Sequence, residues 1–193
     1  PKAGETVRAL ESGRGIDGAK GTNVAVAASR VGAKVALVAH VQGGEWFHRA
    51  KELLREEGID DRFVVCQPGT RRASGCIIID DEGNNMIILG SGTQQAIPRD
   101  EIDRALESLR EAKYCVTGYE LELESVKYLV KKAKSLGIRT VLNPSPVPGQ
   151  PPDFWGFVDI LVLNEVEVAH MLRLAGCQPA EQWEKNAALL RNA

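Results

Sequence analysis

Residues 18–33 read Gly-Ala-Lys-Gly-Thr-Asn-Val-Ala-Val-Ala-Ala-Ser-Arg-Val-Gly-Ala. Glycines at the start let a backbone approach a ligand closely, and the alanine-rich run predicts a helix over residues 19–31 that Gly32 ends. Lys20 and Asn23 are one helical turn apart, so both can face a ligand over the helix N-terminus. The stretch predicts a binding loop for a polyhydroxylated small molecule; on six residues alone, an ordinary loop before a helix is equally consistent.

The rest of the chain alternates short apolar runs with amphipathic segments. Apolar runs bounded by turn residues predict strands at 35–39, 63–66, 114–117, 139–142 and 158–163. The segments between and after them predict helices at 46–57, 100–112, 123–135, 165–174 and 179–193. Because strands that alternate with helices form parallel sheets covered on both faces, the pattern predicts an α/β fold with a mostly parallel, doubly wound sheet.

One segment departs from this alternation. Two β-rich runs, 74–80 and 85–89, flank acidic, glycine and asparagine residues that are typical of a hairpin turn. We expect the hairpin to form a small flap apart from the parallel sheet, with flap strands near residues 5–12 and 72–90.

Composition narrows the class of protein. A chain of 193 residues with 44% hydrophobic content and a net charge of −2 is typical of one globular domain with no affinity for nucleic acid or anionic membranes. No apolar run is long enough to span a bilayer and no apolar signal core opens the chain, so we expect a cytoplasmic protein. The four cysteines form no CxxC pair and the three histidines lack metal-ligand spacing, which predicts reduced thiols and packing or surface histidines.

Several motifs, in order along the whole chain, resemble those of the ribokinase-like sugar kinases, also called the phosphofructokinase B family. Residues 18–33 are similar to the family's first signature, and Leu-Asn-Pro-Ser-Pro at 142–146 and Leu-Asn-Glu-Val-Glu at 163–167 are similar to its Asn-Pro-x-Pro and Asn-x-x-Glu motifs. Residues 1–7 resemble its Pro-x-x-Gly-Glu-Thr segment. Since several motifs in order are far more specific than one, the resemblance is strong, and within the family it is closest to ribokinases.

The resemblance implies a sugar site. Gly18, Lys20 and Asn23 fall where the family holds sugar hydroxyls. Ala19 stands where glycine is usual, and its methyl group leaves the identity of the sugar open. Glu120 falls on a glutamate that accepts a sugar hydroxyl in ribokinases. The residues around Glu120, taken alone, equally favour a solvated carboxylate at a helix start.

The resemblance also implies ATP-dependent phosphorylation of a pentose, ribose first of all, with Mg²⁺ as cofactor. Asn164 and Glu167 fall on the pair that organises magnesium-bound water and phosphate, without a direct metal ligand. Indirect binding suits an ion that keeps several of its waters. The i, i+3 spacing equally matches a capping box at a helix start, and the two roles are compatible.

Two family elements are expected outside the matched motifs. The family's first strand, with an Asn-x-Asp sugar ligand, precedes them, and the Gly-Ala-Gly-Asp motif, whose aspartate is the catalytic base, follows them. We therefore expect residues 1–193 to form a partial domain with no catalytic residue and little turnover, because loss of a positioned base alone costs about 10²–10⁴ in rate. Exposed strand edges and the flap lead us to expect a homodimer.

A second departure from the family concerns its usual Gly-Asp-Asp/Glu turn. Residues 42–47 read Gln-Gly-Gly-Glu-Trp-Phe, and we expect Trp46 and Phe47 to be core or packing residues. The change keeps a nucleoside or ketohexose kinase open as an alternative, beside a non-catalytic sugar-binding or dimerisation module. A dinucleotide-binding oxidoreductase is the least supported, because residues 18–23 do not match GxGxxG and no acidic residue follows the next strand.

Overall fold

The structure is a computed structural model that describes residues 19–67, 75–83, 85–89, 95–150, 152–180 and 183–192. Its helices are α1 (Lys20–Arg30), α2 (Glu45–Glu56), α3 (Arg99–Ser108), α4 (Leu123–Ser135), α5 (Glu165–Leu174) and α6 (Trp183–Asn192). Its strands are β1 (Ala36–Gln42), β2 (Asp60–Gln67), β3 (Gly75–Ile79), β4 (Asn85–Leu89), β5 (Tyr114–Gly118), β6 (Arg139–Asn143) and β7 (Ile160–Leu161). Within these ranges no helix is long and apolar enough to cross a lipid bilayer.

Backbone hydrogen bonds join the described strands into three ladders. β1 pairs with β2, and β6 pairs with β5 and β7, always in parallel. β3 and β4 form a separate antiparallel hairpin. The α/β class, the parallel pairing and the hairpin at 75–89 are thus confirmed, whereas the flap strand expected near residues 5–12 lies outside the described residues.

Helices cover both faces of β1, as a doubly wound sheet requires. Successive side chains of a strand point to opposite faces, so Leu37 and Val41 lie on one side and Val38 on the other. Leu37 and Val41 pack against a buried cluster that includes Ala25 of α1 and Leu54 of α2. Val38 packs against a second cluster, whose buried members come from α3, α4 and their flanks: Ile97, Ile102, Leu106, Ala133 and Ile138.

The two parallel ladders lie side by side. Cys115 of β5 packs against the same cluster as Val38 of β1, and α1 contacts both strands. A third cluster joins α4 to β6, and its buried members are Tyr119, Val126, Val130, Leu142 and Phe154. The other face of β5 is more open, because Tyr114 is 50% exposed and Val116 is 52% exposed. The shared helix and cluster therefore place the ends of β1 and β5 close together.

The first ladder is longer than the apolar runs predict. A strand is predicted at 35–39, but β1 continues to Gln42 because His40 and Gln42 pair with Val65 and Gln67 of β2. A parallel ladder depends on backbone groups, so polar residues at its end join it as readily as apolar ones.

Two helices are shorter than predicted. α3 ends at Ser108 because the N–H of Ala112 bonds the carbonyl of Leu109 at 2.8 Å, in a turn that returns the chain to β5. α6 starts at Trp183 because the side chain of Asn186 bonds both the N–H (2.6 Å) and the carbonyl (3.0 Å) of Ala180, outside the helix. In both cases a turn hydrogen bond competes with the helix.

The strand predicted at 158–163 is reduced to β7. Val158 closes a 3₁₀ turn at Trp155–Phe157, and the carboxylate of Asp159 accepts the backbone N–H of Thr140 at 2.9 Å. Lys134 and the donors of Thr140 lower the pKa of Asp159 to about 2. An ionised Asp159 therefore ties the start of β7 to β6 and α4.

The aromatic residues at the start of α2 and two of the cysteines differ in how deeply they are buried. Phe47 packs against the same cluster as Leu54, seven residues further along the same face of α2, as predicted. Trp46, one residue earlier in the helix, is 38% exposed and lies outside the buried cluster. Among the thiols, Cys66 is exposed, whereas burial raises the pKa of Cys115 to about 11.

Gly118, at the end of β5, has no room for a side chain. A Cβ atom built on it would lie 2.7 Å from the carbonyl oxygen of Asn143 at the end of β6. Only glycine lets the two strand ends approach this closely, so the spacing of these ends depends on it.

We predict that Gly118→Ala lowers the free energy of unfolding by about 1–3 kcal/mol, because the backbone of β6 must shift to relieve the clash. Denaturant titration measures the change. The matched control is Gly156→Ala, where a Cβ would meet no atom within 4 Å, and it should change stability by less than about 0.5 kcal/mol. Equal effects of the two substitutions would contradict the proposed close approach.

Candidate functional site

The N-terminus of α1 has no side-chain cap within the described part of the chain. Ala19 is the N-cap residue, with extended backbone and no side-chain bond to the first turn. The first backbone bond runs from the N–H of Asn23 to the carbonyl of Ala19 at 3.1 Å, so the N–H groups of Lys20, Gly21 and Thr22 have no acceptor within the helix. No acidic residue lies in this turn. These donors and the helix dipole give a positive end that favours an anion or hydroxyl oxygens.

Lys20 joins this end of α1 to the loop after β6. Its ammonium donates a hydrogen bond to the hydroxyl of Ser145, a residue 125 positions further along the chain. Ser145 is only 8% exposed, and its N–H donates to the carbonyl of Asn143 at 2.9 Å. The start of α1 and the Asn-Pro-Ser-Pro loop are thus in direct contact. In the sequence, only their shared resemblance to one family related the two segments.

The end of β6 is also tied to the end of β7. The side-chain amide of Asn143 donates to the carbonyl of Val162 at 2.7 Å. With Gly118 pressed against Asn143 on the other side, the carboxyl ends of β5, β6 and β7 lie at one edge. In parallel α/β sheets this edge is where ligands bind.

A cavity of about 270 Å³ opens at this edge. It lies between the segment after β5 and the loop after β6, and its walls are mainly apolar: Tyr119, Leu121, Leu123, Pro146, Val147, Pro148 and Gly149. Burial raises the pKa of the Tyr119 phenol, which is therefore a neutral hydroxyl at ordinary pH. The cavity wall includes Pro146, the residue after Ser145, so the loop that Lys20 contacts also supplies apolar surface.

Glu120 stands between two residues of the cavity wall and is half-buried. Its carbonyl accepts the N–H of Gln95 at 3.3 Å, and the carbonyl of Gln95 accepts the N–H of Glu122 at 2.9 Å. α4 begins only at Leu123, so Glu120 precedes the helix and the acid of its first turn is Glu124. The structure therefore disfavours the helix-start alternative for Glu120.

Asn164 and Glu167 form a complete capping box at the start of α5. The N–H of Glu167 donates to Oδ1 of Asn164 at 2.8 Å, and the N–H of Asn164 donates to Oε2 of Glu167 at 2.9 Å. The capping role that their spacing predicts is confirmed. The pair follows β7 closely, since Val162, bonded by Asn143, is only two residues earlier.

Comparison with known proteins decides the family. The sequence model of the pfkB family of carbohydrate kinases matches residues 4–191. The chain belongs to this family. Gly18 lies outside the described residues, whereas Ala19, Lys20 and Asn23 lie at the start of α1, as expected for the first pfkB signature.

Two curated relatives and two solved structures illustrate the match. The chain is 28% identical to a ribokinase of Mus musculus, over 86% of this chain and 52% of that protein, and 32% identical to a deoxyribokinase of Salmonella typhi, over 76% and 47%. It superposes on a ribokinase from Giardia lamblia (TM-score 0.78, 21% identity, 100% of this chain and 58% of that chain). It also superposes on an Arabidopsis thaliana ribokinase complexed with ribose and ATP (TM-score 0.68, 22% identity, 100% and 62%).

These matches support the fold, and they cover part of each relative's length. At 21–22% identity the structural likeness shows the fold, which is that of ribokinases. The chain spans about half the length of the curated relatives it matches.

Two features of this pfkB chain were not predicted from its sequence. Ser145 occupies the variable position of Asn-Pro-x-Pro, and nothing in the local sequence indicates that Lys20 contacts it. His40, predicted as a packing or surface histidine, is buried and its Nε2 lies 2.7 Å from Oε2 of Glu101 in α3. The sequence signals for this contact were a histidine at the end of a predicted strand and a glutamate near the start of a predicted helix, 61 residues later.

The altered turn after β1 also has a structural explanation. A Cβ atom on Gly43 would lie 3.1 Å from the sulfur of Cys66, so a side chain there would have to displace the thiol. Glycine at this position therefore matches a cysteine on the neighbouring strand β2. A Cβ atom on the next residue, Gly44, would meet no atom within 4 Å, so the crowding is confined to Gly43.

Proposed function

We propose that this chain forms the sugar-binding part of a carbohydrate kinase that transfers the terminal phosphoryl group of ATP to a pentose, ribose or 2-deoxyribose. The observation that carries the proposal is the contact between Lys20 and Ser145. It brings the first family signature to the strand edge where Glu120 and the cavity lie. The two relatives, a ribokinase and a deoxyribokinase, support this substrate class.

The residues at this edge are chemically matched to a sugar. Lys20, Asn23 and the free N–H groups of α1 donate hydrogen bonds, and the half-buried carboxylate of Glu120 accepts them. Sugars present alternating hydroxyl groups and C–H faces, and the mainly apolar cavity beside these groups suits the latter. Donors, an acceptor and an apolar wall together favour a small polyhydroxylated ligand over a flat apolar one.

Asn164 and Glu167 are the candidates for the nucleotide and Mg²⁺ side. They follow β7 at the same edge and offer amide and carboxylate oxygens, which Mg²⁺ prefers. Because these oxygens already accept backbone N–H groups in the capping box, we propose that the ion is held through its waters. Mg²⁺ would supply charge stabilisation for the transferred phosphoryl group. The Arabidopsis relative solved with ribose and ATP supports ATP as the phosphoryl donor.

Phosphoryl transfer needs a base to accept the proton of the sugar hydroxyl. Residues 1–193 contain no Gly-Ala-Gly-Asp sequence, which in the family carries that base. We propose that these 193 residues alone bind the sugar and leave it unphosphorylated. The alternative of a nucleoside or ketohexose kinase shares the site, and binding of adenosine or fructose in preference to ribose would favour it.

We predict that the chain binds ribose or 2-deoxyribose by calorimetry, and that Lys20→Ala and Asn23→Ala each weaken binding about tenfold or more. Each substitution removes a hydrogen bond to the ligand, and a bond from a charged donor is worth the most. Lys34→Ala is the matched control, because Lys34 is an exposed lysine just after α1, and it should leave affinity unchanged. Pentose binding that is indifferent to Lys20 and Asn23 would refute the proposed site.

A second role, dimerisation, is favoured by the hairpin. Ile77 and Ile79 lie on one face of β3 and are 55% and 67% exposed. Among the described residues no further strand pairs with this hairpin, and a two-stranded hairpin alone is marginally stable, so an exposed apolar face of this kind favours a partner. We propose a second copy of this chain as that partner.

We predict that the chain sediments as a dimer at micromolar concentration and that the double substitution Ile77→Lys, Ile79→Lys yields a monomer. Charged side chains on the hairpin cannot be buried without a partner charge. Val31→Lys, at a residue 85% exposed near the end of α1, should remain dimeric. A monomeric wild-type chain, or a dimer that persists in the double variant, would contradict a flap-mediated interface.

A further inference from the structure

The partner of Lys20 is unusual for a lysine at a surface helix start. Its ammonium bonds a hydroxyl, and among the described residues no carboxylate pairs with it. The two side chains differ sharply in exposure, since Lys20 is exposed while Ser145 is 8% exposed. The contact therefore joins a long, exposed side chain to a buried one.

Ser145 is fixed by its neighbours. It lies between Pro144 and Pro146, whose rings restrict the backbone, and Pro144 is fully buried. Its own N–H bonds the carbonyl of Asn143, which in turn presses against Gly118. The hydroxyl of Ser145 is thus held relative to the ends of β5 and β6, whereas the four-carbon stem of a lysine is flexible.

We infer that Ser145 is a positioning residue that holds the ammonium of Lys20 over the carboxyl ends of β5 and β6. The inference rests on the proposed sugar site, because it assigns to Lys20 a place beside the ligand. A hydroxyl does this without neutralising the charge: it accepts one N–H of the ammonium and leaves two for a ligand. A carboxylate in its place would compete with the sugar for the same cation.

The first test requires no ligand. Acetylation of individual lysines in the full chain is followed by mass spectrometry, with Lys34 and Lys185 in the same molecule as internal references. An amine held by Ser145 must leave that contact to react, so Ser145→Ala should speed modification of Lys20 roughly fivefold, in line with the loss of one hydrogen bond. Ser145→Thr keeps the hydroxyl and should restore the slow rate. An unchanged rate at Lys20 in Ser145→Ala would overturn the inference.

The second test separates positioning from a general effect on the fold. Ribose affinity is measured for wild type, Ser145→Ala, Lys20→Ala and the double variant. If Ser145 acts through Lys20, Ser145→Ala weakens binding several-fold in the wild-type background and has no further effect once Lys20 is alanine. Equal losses in both backgrounds would contradict a positioning role. If ribose does not bind any variant, the proposed sugar site fails, while lysine acetylation still decides whether Ser145 holds Lys20.

Discussion

The hydrogen bond from Lys20 to Ser145 connects the start of α1 to the loop after β6, and the arrangement of the candidate site depends on it. Lys20 begins α1, which contacts both β1 and β5, and Ser145 follows β6; the ladder of β1 and β2 and the ladder of β5, β6 and β7 share no backbone hydrogen bond within the described residues. Packing under α1 and against a common cluster places these ladders side by side. The side-chain contact then adds a direct tie at the edge where parallel α/β proteins bind ligands.

The remaining ties at this edge run from strand to strand. Gly118 permits β5 to approach Asn143, Asn143 bonds Val162 beyond β7, and the N-cap of α5, Asn164, follows two residues later with its capping box. Each tie is a backbone contact or a bond to a backbone group, so the edge is defined by main-chain geometry. The side chains that we assign to the sugar and those that we assign to the nucleotide therefore lie at separate positions along one edge of the sheet. We propose that phosphoryl transfer takes place between these positions.

Much of the fold could be predicted from sequence because its signals are local. α4 matches the predicted residues 123–135, since an amphipathic run is bounded by Glu122 as N-cap and by Gly137 after its end. α5 matches the predicted residues 165–174, because Asn164 and Glu167, three residues apart, indicate where the helix starts. Predictions failed where a partner distant in sequence decided the outcome. The length of β1 depends on β2, and the late start of β7 depends on the bond between Asp159 and Thr140, 19 residues apart.

The site shows the same division. Ala19, Lys20, Asn23 and Glu120 were predicted as site residues from motifs whose order resembles one family, and they remain the proposed sugar contacts. Ser145 could not be predicted, because its partner is 125 residues away and its position in the motif is variable. The local sequence predicts which side chains are candidates for the site, whereas the packed structure shows which of them are in contact.

The most direct test of a single sugar site at this edge is a titration of the ¹⁵N-labelled chain with ribose, followed by NMR. The account predicts that the amide resonances that move most belong to residues 19–23 and 119–121 and to Asn143 and Ser145, which lie far apart in sequence. Shifts confined to another region, such as α5 and α6, would contradict it, as would the absence of shifts with a large excess of ribose.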